Sequence, residues 1–118
     1  MKTLILGAST NPERYSYQAV ERLLFHGHSI IALGNRPGEI LGNQLHTEKI
    51  EWSEIDTISL YLGPQRQEEY YDYIFSLQPR RVLFNPGTEN PAFEKKLVAQ
   101  GLGVERACTL VLLATNQY

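Results

Sequence analysis

The segment Thr3–Tyr17, with the sequence TLILGASTNPERYSY, decides how the rest of the chain is interpreted. Its start, Thr3–Leu6, is a largely apolar run, which is typical of a strand buried in a parallel sheet. The small residues 7–9 follow, and a helical pattern begins after Asn11-Pro12. A strand that opens into a helix through small residues is the usual layout of a phosphate site, because backbone N–H groups and a helix N-terminus then face an anion.

Strand and helix patterns alternate along the whole chain. Strands are predicted at about 2–7, 29–33, 43–46, 57–62, 81–84 and 103–106. Helices with apolar residues at helical spacing are predicted at 17–27, 64–77 and 91–100, and residues 109–115 favour a short helix over a final strand. Residues 34–42 are predicted to be a loop rich in Gly and Pro.

This alternation predicts the α/β class, with a Rossmann-like, doubly wound, mostly parallel sheet of five to six strands and helices on both faces. If residues 43–46 form a small third strand at the edge, the strand order is 3-2-1-4-5-6. The loops after the first and fourth strands are then neighbours where the order reverses, which is where such sheets bind ligands. We expect residues 1–118 to form a single domain, with no separate substrate domain.

The composition argues against several classes of function. A formal net charge of -2 and a pI near 5.9 give no basic face for nucleic acid. The longest apolar run, Leu110–Ala114, is far shorter than the ~20 residues of a membrane span. Because Met1 is followed at once by the predicted first strand, no signal or transit segment is expected. Cys108 is the only cysteine, so no internal disulfide forms and a cytoplasmic location is expected.

The loop between the first strand and the first helix is a weak signal when it is taken alone. It departs from the dinucleotide fingerprint G-x-G-x-x-G, because Ser9 and Pro12 stand where the second and third glycines would be. Gly7-Ala8 is equally compatible with a simple tight turn. Arg14, at the start of the helix, suits a pyrophosphate, and it is equally compatible with a solvated position.

The end of the second strand discriminates better between nucleotide ligands. NAD-binding proteins carry an acidic residue there to hold the ribose hydroxyls, whereas this chain has Asn35 and Arg36. The planar guanidinium of Arg36 suits a phosphate. The sequence therefore predicts a ligand with a phosphate on its ribose, which leaves NADP or coenzyme A, unless Arg36 is a solvated loop residue.

Three segments carry a family resemblance: the loop 7–14, the loop 34–42 and the stretch NPGTENP at 85–91. Together they resemble the small stand-alone CoA-binding proteins, which are similar to the CoA-binding domain of the succinyl-CoA ligase alpha subunit. The similarity covers essentially the whole chain and implies a Rossmann-like CoA-binding domain with no catalytic domain attached.

The same resemblance implies a role for each segment of the site. The pyrophosphate is expected at Gly7, Ala8, Ser9, Thr10 and Arg14, and the ribose 3′-phosphate at Asn35 and Arg36. The adenine is expected at Leu62, Gly63 and Pro64, and the pantetheine arm at Asn85, Pro86 and Gly87. Cys108, after the last strand, is a candidate for a mixed disulfide with the CoA thiol, beside its simpler interpretation as an inert, partly buried residue.

The sequence offers no catalytic or metal-binding pattern. His26, His28 and His46 are interpreted as surface or helix-end residues away from the carboxyl ends of strands, and no H-x-x-x-H or C-x-x-C pair occurs. No nucleophile has an adjacent base.

The protein is therefore expected to bind coenzyme A or an acyl-CoA through its 3′-phospho-ADP part, with no evident catalytic machinery of its own. Two alternatives stay open: an NADP-binding, reductase-like protein that needs a partner, and a regulatory interaction protein with a vestigial pocket. A homo-oligomer or a partner protein is compatible with each of them.

Overall fold

The computed structural model describes all 118 residues, and the opening strand β1 (Lys2–Leu6) lies at its centre. β1 is parallel to β2 (Ser29–Leu33) on one side and to β5 (Thr57–Leu60) on the other. Residues Leu4–Leu6 are fully buried, because helices cover both faces of the strand. The apolar run that predicted a buried parallel strand therefore forms one.

Four further strands complete a single sheet: β3 (Gly38–Ile40), β4 (Asn43–His46), β6 (Arg81–Phe84) and β7 (Gly103–Arg106). The order across the sheet is β3-β4-β2-β1-β5-β6-β7, and every neighbouring pair is parallel except β3 and β4. Without β3 this is the predicted order 3-2-1-4-5-6. The α/β class, the Rossmann-like topology and the mostly parallel sheet are thus confirmed.

The prediction of five to six strands was wrong, because residues 38–40 form a strand and not a loop. β3 pairs antiparallel with β4 through a two-residue turn at Leu41-Gly42. Both turn residues have positive φ, 50° and 84°, as the tight hairpin turn that fits the strand twist requires. Leucine is an unusual residue for that position, so the hairpin signal was absent. The strand 43–46 consequently lies second from the edge.

Five helices cover the sheet: α1 (Tyr15–Phe25), α2 (Pro64–Gln67), α3 (Tyr71–Leu77), α4 (Pro91–Ala99) and α5 (Thr109–Ala114). The core has two halves, divided by the alternation along β1. Leu4 and Leu6 pack with residues of α3 and α4, while Ile5 packs with residues of α1 and α5. No helix combines the length and the hydropathy that a membrane span requires.

The predicted helix at 64–77 is interrupted, because residues 68–70 form a 3₁₀ turn between α2 and α3. Apolar periodicity begins only at Tyr70, so the sequence carried no signal for the tighter turn before it. The predicted start of α4 is confirmed: the side chain of Asn90 accepts a hydrogen bond from the N–H of Phe93 at 3.2 Å, and Pro91 is the first helical residue.

Phe93, beneath this cap, is the aromatic centre of one half of the core. It is fully buried, stacks on Tyr71 with centroids 4.0 Å apart, and meets Phe75 and Phe84 edge to face. Phe93→Ala is expected to lower the free energy of unfolding by about 3–5 kcal/mol. Urea denaturation followed by circular dichroism measures the loss.

Phe25→Ala is the matched control, since Phe25 is 78% exposed. It should change the free energy of unfolding by less than about 0.5 kcal/mol. Similar losses in the two variants would contradict the central position of Phe93.

Candidate functional site

The loops after β1, β2, β5 and β6 surround a cavity of about 670 Å³ at the carboxyl edge of the sheet. Since β2 and β5 flank β1, the cavity lies where the strand order reverses. The lining includes these predicted residues: Gly7, Ala8, Ser9, Thr10, Arg14, Asn35, Arg36, Leu62, Gly63, Pro86 and Gly87. It also includes residues outside the predicted set: Asn11, Tyr15, Ser16, Gly34, Leu45, Tyr61, Arg66, Tyr70 and Thr88.

The charge of this lining is entirely positive. Arg14, Arg36 and Arg66 line the cavity, and no acidic side chain does. None of the three forms a salt bridge, because the ion pairs of the molecule involve other arginines. In a chain with a net charge of -2, three unneutralised guanidinium groups around one cavity favour an anionic ligand.

The loop after β1 divides into an anchored part and a free part. The N–H groups of Gly7 and Ala8 both donate to the carbonyl oxygen of Leu33, at 2.9 and 3.0 Å. These two amides are therefore occupied within the sheet. The N–H groups of Ser9 and Thr10 donate to no protein acceptor, so they are the amides of this loop that a ligand can use.

Asn11 closes the turn that leads into α1. Its N–H donates to the hydroxyl oxygen of Ser9 at 3.1 Å, and its side-chain oxygen accepts from the N–H of Glu13 at 3.0 Å. Its carbonyl oxygen accepts from the N–H of Arg14 at 3.0 Å. The loop is thus folded before any ligand arrives, which lowers the ordering cost of binding. α1 begins without a side-chain cap, so its first N–H groups stay available for an anion.

The loop that carries Arg36 packs directly on the loop after β1. A Cβ added at Gly34 would lie 2.5 Å from the carbonyl oxygen of Ala8, and one at Gly38 would lie 2.7 Å from Cγ2 of Thr10. At Gly34, where the contact is with backbone, only glycine allows this approach. The close packing of the two loops brings Arg36 and the free amides into one site.

Three residues of the predicted set, Pro64, Asn85 and Cys108, do not line the cavity. Asn85 is buried, and its Nδ2 donates to the hydroxyl of Ser59 and the carbonyl of Leu60, at 2.8 and 2.9 Å. Its Oδ1 accepts from the N–H of Thr109 at 2.8 Å. Asn85 therefore ties β5 and β6 to the start of α5. Cys108, half-buried, is the residue just before α5. The mixed-disulfide hypothesis gains no support from this position.

Two tyrosines of the lining have raised pKa values. Burial raises the pKa of Tyr61 to about 12, although the nearby hydroxyls of Ser59 and Thr109 oppose the shift. Burial, with a smaller contribution from Glu69, also raises the pKa of Tyr70. Both phenols are therefore protonated at neutral pH, and that of Tyr61 lies beside the buried hydroxyls of Ser59 and Thr109.

The histidines lie outside the cavity. His46 is the last residue of β4, so the expectation that no histidine lies at the carboxyl end of a strand was wrong for this residue. Its ring packs edge to face on Trp52, with centroids 5.0 Å apart. No group of three His, Cys, Asp or Glu side chains is arranged to hold a metal ion.

The sequence matches the protein family described as CoA binding domain over residues 1–114. A solved structure described as an uncharacterized protein is 46% identical, with a TM-score of 0.98, and the match covers 99% of this chain and 97% of that chain. No curated protein gives a significant match.

More distant structures share the fold. A protein from Thermus thermophilus, described as cell-free ID.343, is 19% identical with a TM-score of 0.87, over 99% of this chain and 90% of that one. The dinucleotide-forming acetyl-coenzyme A synthetase 1 of Ca. Korarchaeum cryptofilum, solved with phosphate and ADP, is 15% identical with a TM-score of 0.70. That match covers 87% of this chain and 25% of the synthetase chain.

The close approach at Gly34 generates a prediction. Gly34→Ala is expected to lower the free energy of unfolding by about 1–3 kcal/mol, because the new methyl group meets the carbonyl oxygen of Ala8. Urea denaturation measures this. Gly63→Ala is the control, since nothing lies within 4 Å of its Cβ position and its φ is -66°. Equal losses from both would contradict the role of close packing between the loops.

Proposed function

The chain belongs to the CoA-binding domain family, and from this premise we propose that it binds coenzyme A or an acyl-CoA through the 3′-phospho-ADP part of the ligand. The observation that carries the proposal is the cavity lined by three arginines without salt bridges and by no acidic side chain. A 3′-phospho-ADP group has a diphosphate and a separate ribose phosphate, so it offers several anionic groups to these cations.

Each part of the ligand is assigned to one part of the cavity in this proposal. The diphosphate accepts from the free N–H groups of Ser9 and Thr10 and from Arg14, next to the uncapped start of α1. Arg36, on the adjoining loop, binds the ribose 3′-phosphate, with Asn35 beside it. Gly7 and Ala8 contribute by anchoring the loop through Leu33, since their own amides are occupied.

The adenine and the pantetheine arm are assigned to the loops after β5 and β6. Leu62 and Gly63 border the adenine, and Pro86 and Gly87 lie along the arm. Asn85 acts behind this surface as a support, because its side-chain amide is fully engaged with β5 and α5.

We propose a binding module without a chemical step of its own. A tyrosine phenol is protonated at neutral pH and burial raises the pKa of Tyr61 and Tyr70 further, so neither is a base there. A cytoplasmic location belongs to the same proposal, and it rests on the single, half-buried Cys108.

NADP is the second candidate ligand, and the position of Arg36 favours it as well. NADP also has a diphosphate and a phosphate on a ribose, and no acidic residue stands at the end of β2 to prefer free ribose hydroxyls.

Isothermal titration calorimetry with CoA, dephospho-CoA, NADP and NAD tests the proposal. The wild-type protein is expected to bind CoA most tightly. Arg36→Gln should weaken CoA by about tenfold or more, the value of a charge-assisted hydrogen bond, and should leave dephospho-CoA nearly unchanged. Arg22→Gln is the matched control, because Arg22 is the one arginine outside the cavity that forms no salt bridge.

The outcomes separate the candidates. If Arg36→Gln loses affinity for CoA and for dephospho-CoA by the same factor, the assignment of Arg36 to the 3′-phosphate is contradicted. Tighter binding of NADP than of CoA by the wild-type protein would replace the proposed ligand. A protein that binds none of the four would point to a vestigial pocket.

A further inference from the structure

Arg66 is the arginine of the cavity that lies farthest along the chain, in the short helix α2 after β5. Arg66 lines the cavity, is exposed and forms no salt bridge, although Glu68 and Glu69 follow closely in the sequence. A guanidinium that leaves nearby carboxylates unpaired and lines a cavity is available to an anionic ligand.

The wall to which Arg66 belongs lies opposite the one that carries Arg14. Arg14 stands at the start of α1, which packs on the face of the sheet that includes Ile5. The chain continues from Arg66 into α3, which packs on the other face, with Leu4 and Leu6. The two arginines therefore flank the crevice between the loops after β1 and β5, and the free amides of the first loop lie in that crevice.

Gln67, next to Arg66, is fully buried and uses every hydrogen-bonding group of its side-chain amide. Nε2 donates to the carbonyl oxygens of Leu62 and Thr88, both at 2.8 Å. Oε1 accepts from Nδ2 of Asn90 at 3.0 Å. Leu62 and Thr88 line the cavity from different loops, so Gln67 joins these loops and fixes α2 between them.

Asn90 extends this brace into the core. Its side-chain oxygen caps α4 through the N–H of Phe93, and its Nδ2 also donates to the hydroxyl of Tyr71 at 2.8 Å. A buried network in which every member is satisfied is rigid. The backbone of Arg66 is therefore held in place although α2 is only four residues long.

We propose that Arg66 binds the diphosphate of the ligand from the wall opposite Arg14, and that Gln67 is a positioning residue that holds Arg66 there. This inference rests on the proposed function, which supplies the diphosphate. The diphosphate then lies between two guanidinium groups and the amides of Ser9 and Thr10, and Arg36 is left for the ribose phosphate.

Titration calorimetry of Arg66→Gln with CoA and dephospho-CoA tests the contact. Both ligands are expected to bind more weakly by the same factor, on the order of ten- to a hundredfold, because both keep the diphosphate. Arg66→Lys should recover part of the loss. A loss of affinity no larger than that of Arg22→Gln would overturn the contact. A loss of affinity confined to CoA would show that Arg66 contacts the 3′-phosphate and not the diphosphate.

A double-variant cycle tests the positioning role. Gln67→Leu keeps the size of the side chain and removes its hydrogen bonds. If Gln67 acts through Arg66, the double variant of Arg66→Gln and Gln67→Leu binds CoA no more weakly than whichever single variant has the lower affinity for CoA. Additive losses would contradict this role. Gln67→Met serves in the same cycle if Gln67→Leu does not fold. Leu97→Ala, a change in the core, controls for lost stability and should leave the affinity unchanged.

NADP and inorganic pyrophosphate separate a failure of this inference from a failure of the proposed function. If the wild-type protein binds NADP and not CoA, Arg66→Gln should still weaken the binding of NADP. That result would contradict the proposed function and support the contact of Arg66 with the diphosphate. If Arg66→Gln binds CoA as tightly as the wild type does, the contact of Arg66 with the diphosphate is contradicted and the proposed function is not. A wild-type protein that binds none of CoA, NADP and pyrophosphate contradicts both.

Discussion

Two backbone N–H groups, those of Gly7 and Ala8, donate to the single carbonyl oxygen of Leu33, and the site depends on this junction. The shared acceptor ends β1 and turns the chain out of the sheet, with Gly7 at a φ of 95°. A side chain at Gly7 would meet Leu62 and the backbone of Tyr61 at 3.0 Å, so the loop after β5 is packed against the same point. The relative position of three of the four loops around the cavity therefore follows from two residues whose N–H groups are occupied within the protein.

The distribution of charge separates structural from available cations. Arg80, Arg81 and Arg106 are each paired with a carboxylate, and Arg81 is buried, so these arginines contribute to the fold. The guanidinium groups around the cavity have no such partners. The three arginines around the cavity are exposed, and like charges around one cavity raise the local positive potential, so an anionic ligand is favoured there.

Buried amide side chains behind the cavity give the site its rigidity. Asn85 joins β5, β6 and α5, while Gln67 joins the loops after β5 and β6. Both residues have their hydrogen-bonding groups directed at the protein, and Gln67 is fully buried. The family resemblance of the segment 85–91 implies that Asn85 contacts the ligand. The structure places it one layer deeper, where it supports the surface that Pro86 and Gly87 present.

The sequence by itself determined the parallel topology and the position of the crevice, because these depend on local periodicity and on where loops follow strands. The family resemblance implied eleven of the twenty lining residues. Tertiary structure alone decided three features. The hairpin at Leu41-Gly42 depends on backbone angles that leucine rarely adopts. The contributions of Arg66 and Gln67 depend on how α2 packs between two loops distant in sequence. The availability of an N–H group, free at Ser9 and occupied at Ala8, depends on a partner carbonyl in another strand, and such pairing between distant segments leaves no local pattern in the sequence.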